Sequence, residues 1–104
     1  MSVQRYLCSE LVPLRFGAVE KTVNLEEIWE MGAVFEAEEP VKKGARAEMR
    51  AGGVLFAGKV TRVDQHEFGW RFEVEFSPLT PWSVERFLPK HLLDVSEAKR
   101  KTTG

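Results

Sequence analysis

Residues 69–76, Gly-Trp-Arg-Phe-Glu-Val-Glu-Phe, alternate apolar and charged side chains without a break. Trp70, Phe72, Val74 and Phe76 face one way and Arg71, Glu73 and Glu75 the other. Successive side chains of a strand point to opposite faces, so this period of two specifies a half-buried β-strand. Residues 45–50 repeat it, with Ala45, Ala47 and Met49 against Arg46, Glu48 and Arg50. Ala51-Gly52-Gly53 then predicts a turn, because glycine reaches positive φ without a Cβ clash. A long arm follows from Val54 to Val63, with Gly58 mid-run suggesting a bulge or sharp bend. Asp64–Phe68 predicts the next turn, so 45–76 reads as a three-stranded meander.

Upstream, Leu11–Phe16, Lys21–Leu25 and Ala33–Ala37 are further strands, and Pro40-Val-Lys-Lys-Gly44 is a turn. Six short strands with regular turn signals predict a small six-stranded antiparallel barrel, whose closure removes exposed edges. Residues 24–32 are ambiguous. Asn24 with Glu27 resembles a capping box and Gly32 could end a helical turn, but one isolated turn is weak in water. An irregular strand-to-loop passage is therefore expected there. After the meander, Thr80 can cap and Pro81 can open a short C-terminal helix over Trp82–Leu88, ended by Pro89. The expected organisation is a flexible segment 1–10, a barrel with C-terminal helix over 11–95, and a disordered basic tail 96–104 carrying Lys99-Arg100-Lys101.

Composition bounds the function. The 104 residues are 43 % hydrophobic and 30 % charged, as in one globular domain. A single cysteine cannot form an intrachain disulfide, which favours a reducing, cytoplasmic setting. The first 17 residues hold Arg5, Glu10 and Arg15 and no apolar core, so no signal peptide is expected. No apolar run approaches the roughly 20 residues of a membrane helix, so no membrane insertion is expected. Fifteen Lys+Arg against sixteen Asp+Glu argue against broad nucleic-acid binding.

The charges are unevenly placed. Residues 26–39 hold six acids (Glu26, Glu27, Glu30, Glu36, Glu38, Glu39) and no base. Residues 42–62 hold six bases (Lys42, Lys43, Arg46, Arg50, Lys59, Arg62) against Glu48. Adjacent strands pairing these charges across a solvated face is the first reading, and a dipolar surface the second.

Catalytic parts are missing from the pattern. His66 and His91 have no ligand-spaced partners, so no metal is expected. Cys8 has only Arg5 as a local base and reads as an inert thiol. Basic and aromatic residues interleave over Arg50–Arg71, as in an RNA-binding barrel. Yet the aromatics of 69–76 share one face, which places them in the core. No enzyme is expected.

Gly32-Ala-Val-Phe-Glu, then Glu39-Pro-Val-Lys-Lys-Gly44, then an alternating strand form one run. Gly58-Lys-Val-Thr-Arg-Val, then 69–76, then a segment ending near Pro89-Lys-His-Leu form the next. From about residue 5 to 95 this layout resembles a PilZ domain, the small bacterial β-barrel known as a receptor for cyclic di-GMP. In that family an Arg-x-x-x-Arg motif precedes the barrel; here Arg5 fills the first place and Ser9 stands in the second. The family's Asp/Asn-x-Ser-x-x-Gly motif, aligned on Gly32, puts Glu27 at the acid and Trp29 at the serine. The ligand motif is thus degenerate, with Arg5, Glu27 and Gly32 as its remaining positions. Losing two charged contacts, at about 1.5–3 kcal/mol each, would weaken binding by roughly two to four orders of magnitude. The resemblance therefore implies an atypical PilZ-like interaction module without cyclic di-GMP, partnered by another bacterial signalling or motility protein. Trp29 and Trp82 are candidate contact residues, since tryptophan is enriched at interface hot spots. The alternatives are a cyclic di-GMP receptor with an altered site and an RNA-binding small barrel.

Overall fold

The computed structural model describes residues 4–94. The elements are β1 (Tyr6–Phe16), β2 (Val19–Trp29), β3 (Gly32–Ala37), β4 (Arg46–Ala51), β5 (Val54–His66), β6 (Gly69–Phe76) and β7 (Leu93–Asp94). All pairings are antiparallel, in the order β2-β3-β6-β5-β4-β1, and β1 pairs back with β2. Six strands thus close into a barrel, and β7 adds to the start of β1 at Tyr6 and Leu7.

The three strands of the meander are present, but β5 runs on to His66, so the turn expected over Asp64–Phe68 shrinks to Glu67-Phe68, and Trp70 is half-buried outside the core cluster. Phe72, Val74 and Phe76 are buried, as are Ala47 and Met49 across the barrel, and Phe35 stacks on Phe72 with centroids 5.4 Å apart. Gly52 and Gly53 form the β4–β5 turn, both at positive φ. Gly58 has a different role from the expected bulge. The register shift falls between Val60 and Arg62 instead, and Gly58 is where β5 runs hard against β6: any Cβ there would collide with the Glu75 carbonyl.

Three expectations need correction. The first strand starts at Tyr6, not Leu11, so much of the segment read as a flexible arm is paired with β2. Residues 24–32 are neither a loop passage nor a helical turn. β2 runs through Trp29, and a tight turn at Glu30-Met31 leads into β3. A bulge at Glu26 gives this stretch its irregular look, because it breaks the period of two between Leu25 and Glu27. Finally, there is no helix among the described residues. Over Trp82–Leu88 a single turn forms, in which the Phe87 N–H donates to the Ser83 carbonyl at 3.1 Å. The Trp82 N–H is instead given to the Glu30 carbonyl at 2.8 Å, and the Trp82 indole N–H to the Phe87 carbonyl at 2.9 Å. Pro81 and Pro89 bracket the segment and leave room for little more than one turn, so the costly helix nucleus is not propagated.

This segment closes the barrel. β1 and β4 pair only at Leu14–Met49 and Arg15–Glu48, and the adjoining Pro13 has no N–H to extend the ladder. Beyond that seam, Lys90 accepts a hydrogen bond from the Ser9 N–H at 3.1 Å and donates its own N–H to Glu10 Oε1 at 2.8 Å. Trp82 and Phe87 enter the core cluster, against which Leu92 also packs. Val95 and the tail 96–104 lie outside the described residues. No helix of the described residues is long and apolar enough to cross a membrane.

Candidate functional site

The bulge in β2 decides what the outer wall of the barrel presents. Leu25 and Ile28 both point inward and are fully buried, so Glu26 and Glu27 emerge together on the outside. Trp29 then points outward as well. It is 7 % exposed yet lies outside the core cluster. Across the hairpin its partner is Gly32. A Cβ on Gly32 would sit 2.7 Å from Trp29 Cζ2 and 2.6 Å from the Val74 carbonyl. The absent side chain is the space that the indole occupies.

Arg5 covers the other face of that indole, its guanidinium carbon 3.9 Å from the ring centroid. Such stacking on tryptophan is the strongest form of cation–π contact. Arg5 also approaches Glu27 at 3.8 Å and Glu73 at 4.0 Å. Arg71, on β6, is held far more firmly. It bonds Glu27 at 2.8 Å and reaches Glu26 at 3.4 Å. Asp64 is engaged by Arg62 at 2.8 Å. Arg5, Glu27, Arg62, Asp64, Arg71 and Glu73 rim an open depression of about 260 Å³.

Electrostatics here do not follow simple pairing. The Glu26 carboxyl is held above its ordinary value although Arg71 lies beside it. Partial burial is the largest cause, and a hydrogen bond shared with Glu36 adds to it, outweighing the guanidinium. Cys8 is pushed up to about 12, first by burial and then by the carboxylates of Glu10, Glu27 and Glu26. It remains a thiol at neutral pH, as an inert cysteine should.

The structure brings together Arg5, Glu27, Trp29 and Gly32. Trp82 is elsewhere: it is 4 % exposed, packs edge-on against Tyr6 at 5.5 Å and seals the barrel. It therefore cannot serve as an exposed contact residue. The expected charge pairing also fails. β6 separates β3 from β5, and β1 separates β2 from β4. Among the described residues no ion pair joins an acid of 26–39 to a base of 42–62; Arg5 and Arg71 pair with Glu27, Arg71 with Glu26 and Lys21 with Glu39, and His66 lies against Glu36.

Two contributors were not singled out from sequence, Arg71 and Glu73. Their outward phase was legible in the 69–76 alternation, but the pairing of β6 with β3 was not. The site is thus an exterior tryptophan platform on a small closed antiparallel barrel, with one tight and one loose arginine among carboxylates. No family model matches the chain, and no curated protein or solved structure is significantly similar to it.

Proposed function

We propose that the domain is a non-catalytic protein-interaction module of bacterial signalling, an atypical PilZ-like barrel that does not take cyclic di-GMP. The observation that carries this reading is the position of Arg5, folded onto Trp29 and bracketed by Glu27 and Glu73. Cyclic di-GMP presents two phosphates and two guanines, and arginine serves both through bidentate donation and stacking. Here Ser9, at the place of the second motif arginine, lies within β1. The nearby Arg71 is tied to Glu26 and Glu27. A dianion entering the depression would meet Glu27, Glu73 and Asp64.

A non-catalytic role is supported by the firm pairing of Glu27 and Asp64, each held by a guanidinium at 2.8 Å. The RNA reading is disfavoured at Phe72 and Phe76, which point into the core, although Trp70 of the same strand is only half-buried and lies outside it. Calorimetry with cyclic di-GMP tests the proposal. No heat is expected up to near-millimolar nucleotide. Micromolar binding that Arg5→Ala abolishes would replace this reading with the altered-site receptor.

A further inference from the structure

Two arginines meet the same carboxylate cluster, and they are held in different ways. Arg71 sits mid-strand on β6 and makes a 2.8 Å hydrogen bond to Glu27. Arg5 precedes the first strand, and both of its carboxylate contacts, at 3.8 and 4.0 Å, are longer than a hydrogen bond. Its firmest attachment is the face of Trp29. Its side chain is 44 % exposed, whereas the indole below is almost wholly covered. Arg5 therefore behaves as an occupant of a slot built by other residues. The floor is Trp29, seated on Gly32; the walls are Glu27 and Glu73.

An indole face with carboxylates at its margin is chemistry that selects a flat cation. A guanidinium stacks on the ring and turns its N–H groups outward toward the acids. An ammonium of lysine is compact and strongly hydrated and uses such a slot less well. An anion is disfavoured by both walls. We propose that the Trp29–Glu27–Glu73 slot is a guanidinium receptor, occupied in cis by Arg5 and open, when Arg5 leaves, to an arginine side chain of a protein partner. This rests on the interaction-module reading and names the chemistry of the partner.

Exchange costs little, because the Arg5 side chain is held by stacking and by ion contacts longer than a hydrogen bond. As a tethered competitor it acts at a high effective concentration, so a free ligand must outcompete it.

The test uses N-acetyl-arginine methylamide, a neutral-backbone guanidinium probe. Its effect on the Trp29 indole N–H resonance is followed by NMR in the wild-type chain and in Arg5→Ala. In Arg5→Ala a saturable shift with a midpoint on the order of 10 mM is expected. In the wild type the midpoint should lie at least about fivefold higher, with the Arg5 Nε–H resonance moving toward its free position. The N-acetyl-lysine methylamide counterpart should bind about threefold more weakly. Coincident curves in the two proteins, or no saturable shift in a folded variant, overturn the proposal. Should Arg5→Ala not fold, Arg5→Gln takes its place, and the wild-type Arg5 resonance gives a reading that needs no variant. If this titration is null while cyclic di-GMP calorimetry is also null, the slot alone is overturned. Micromolar nucleotide binding strikes the module reading itself.

Discussion

Trp29 and Trp82 are both nearly removed from water, at 7 % and 4 % exposure, and they do opposite things. Trp82 is a plug. Its indole N–H is satisfied by the Phe87 carbonyl, its ring meets Tyr6, and it belongs to the core. Trp29 is a platform on the outer wall, covered by a charged side chain. The lesson is that burial alone does not identify a core tryptophan. What covers the ring matters, because an apolar cover cannot exchange with solvent cheaply and a guanidinium can. The two are also joined, since the turn after Trp29 receives the Trp82 N–H through the Glu30 carbonyl.

The sharpest way to break this contrast is to truncate both rings. Trp82→Ala should cost about 3–5 kcal/mol, as large-to-small core changes do. Trp29→Ala should cost clearly less, because one face of its ring loses only the Arg5 guanidinium. Urea unfolding of the two variants measures both, and equal losses would mean that the plug and platform roles are the same. Next in size is Gly32→Ala. The new methyl would press on the Val74 carbonyl and the Trp29 ring, costing about 1–3 kcal/mol as overpacking does. A shifted Trp29 indole resonance beside an unmoved Trp82 resonance should accompany it.

Arg5→Ala should be milder, about 0.5–1 kcal/mol, and the same unfolding experiment should show Trp29 fluorescence turning more solvent-exposed. Glu26→Gln has the smallest effect and the opposite sign. The Glu26 carboxyl is raised in the folded chain, so ionising it disfavours the fold. That penalty is absent while the group is protonated in both states. It grows as pH rises from the ordinary carboxyl value through the raised one. The variant should therefore melt slightly higher than the wild type at neutral pH and show no such advantage below the ordinary carboxyl range. Melting curves across pH check this.

Much of the barrel could be read residue by residue. The 69–76 and 45–50 alternations located β6 and β4, and Gly52-Gly53 their turn into β5, because each is a local consequence of pleat and φ. The strand content of 24–29 was hidden because the bulge at Glu26 imitates a loss of period. The segment expected as a helix over Trp82–Leu88 forms a single turn anchored by the Trp82 N–H on the Glu30 carbonyl, a distant contact that no local signal announces. Within the site, Arg5, Glu27 and Gly32 are nominated only by the resemblance to the family's motifs, and Trp29 only as a tryptophan outside the clearest strand. Arg71 and Glu73 could not be nominated, since they arrive from a strand some 40 residues away in sequence.

By itself, the sequence determined that this chain is an antiparallel β protein with an aromatic core and an acidic stretch set apart from a basic one. These follow from periodicity and composition, which act over a few residues. Only the tertiary structure decided that β6 lies between the acidic and basic strands, that one tryptophan seals the barrel while the other faces outward, and that Arg5 lies on the second. Those facts depend on non-local strand pairing, whose free energy comes from closing the barrel around a shared core rather than from any residue's neighbours in the chain.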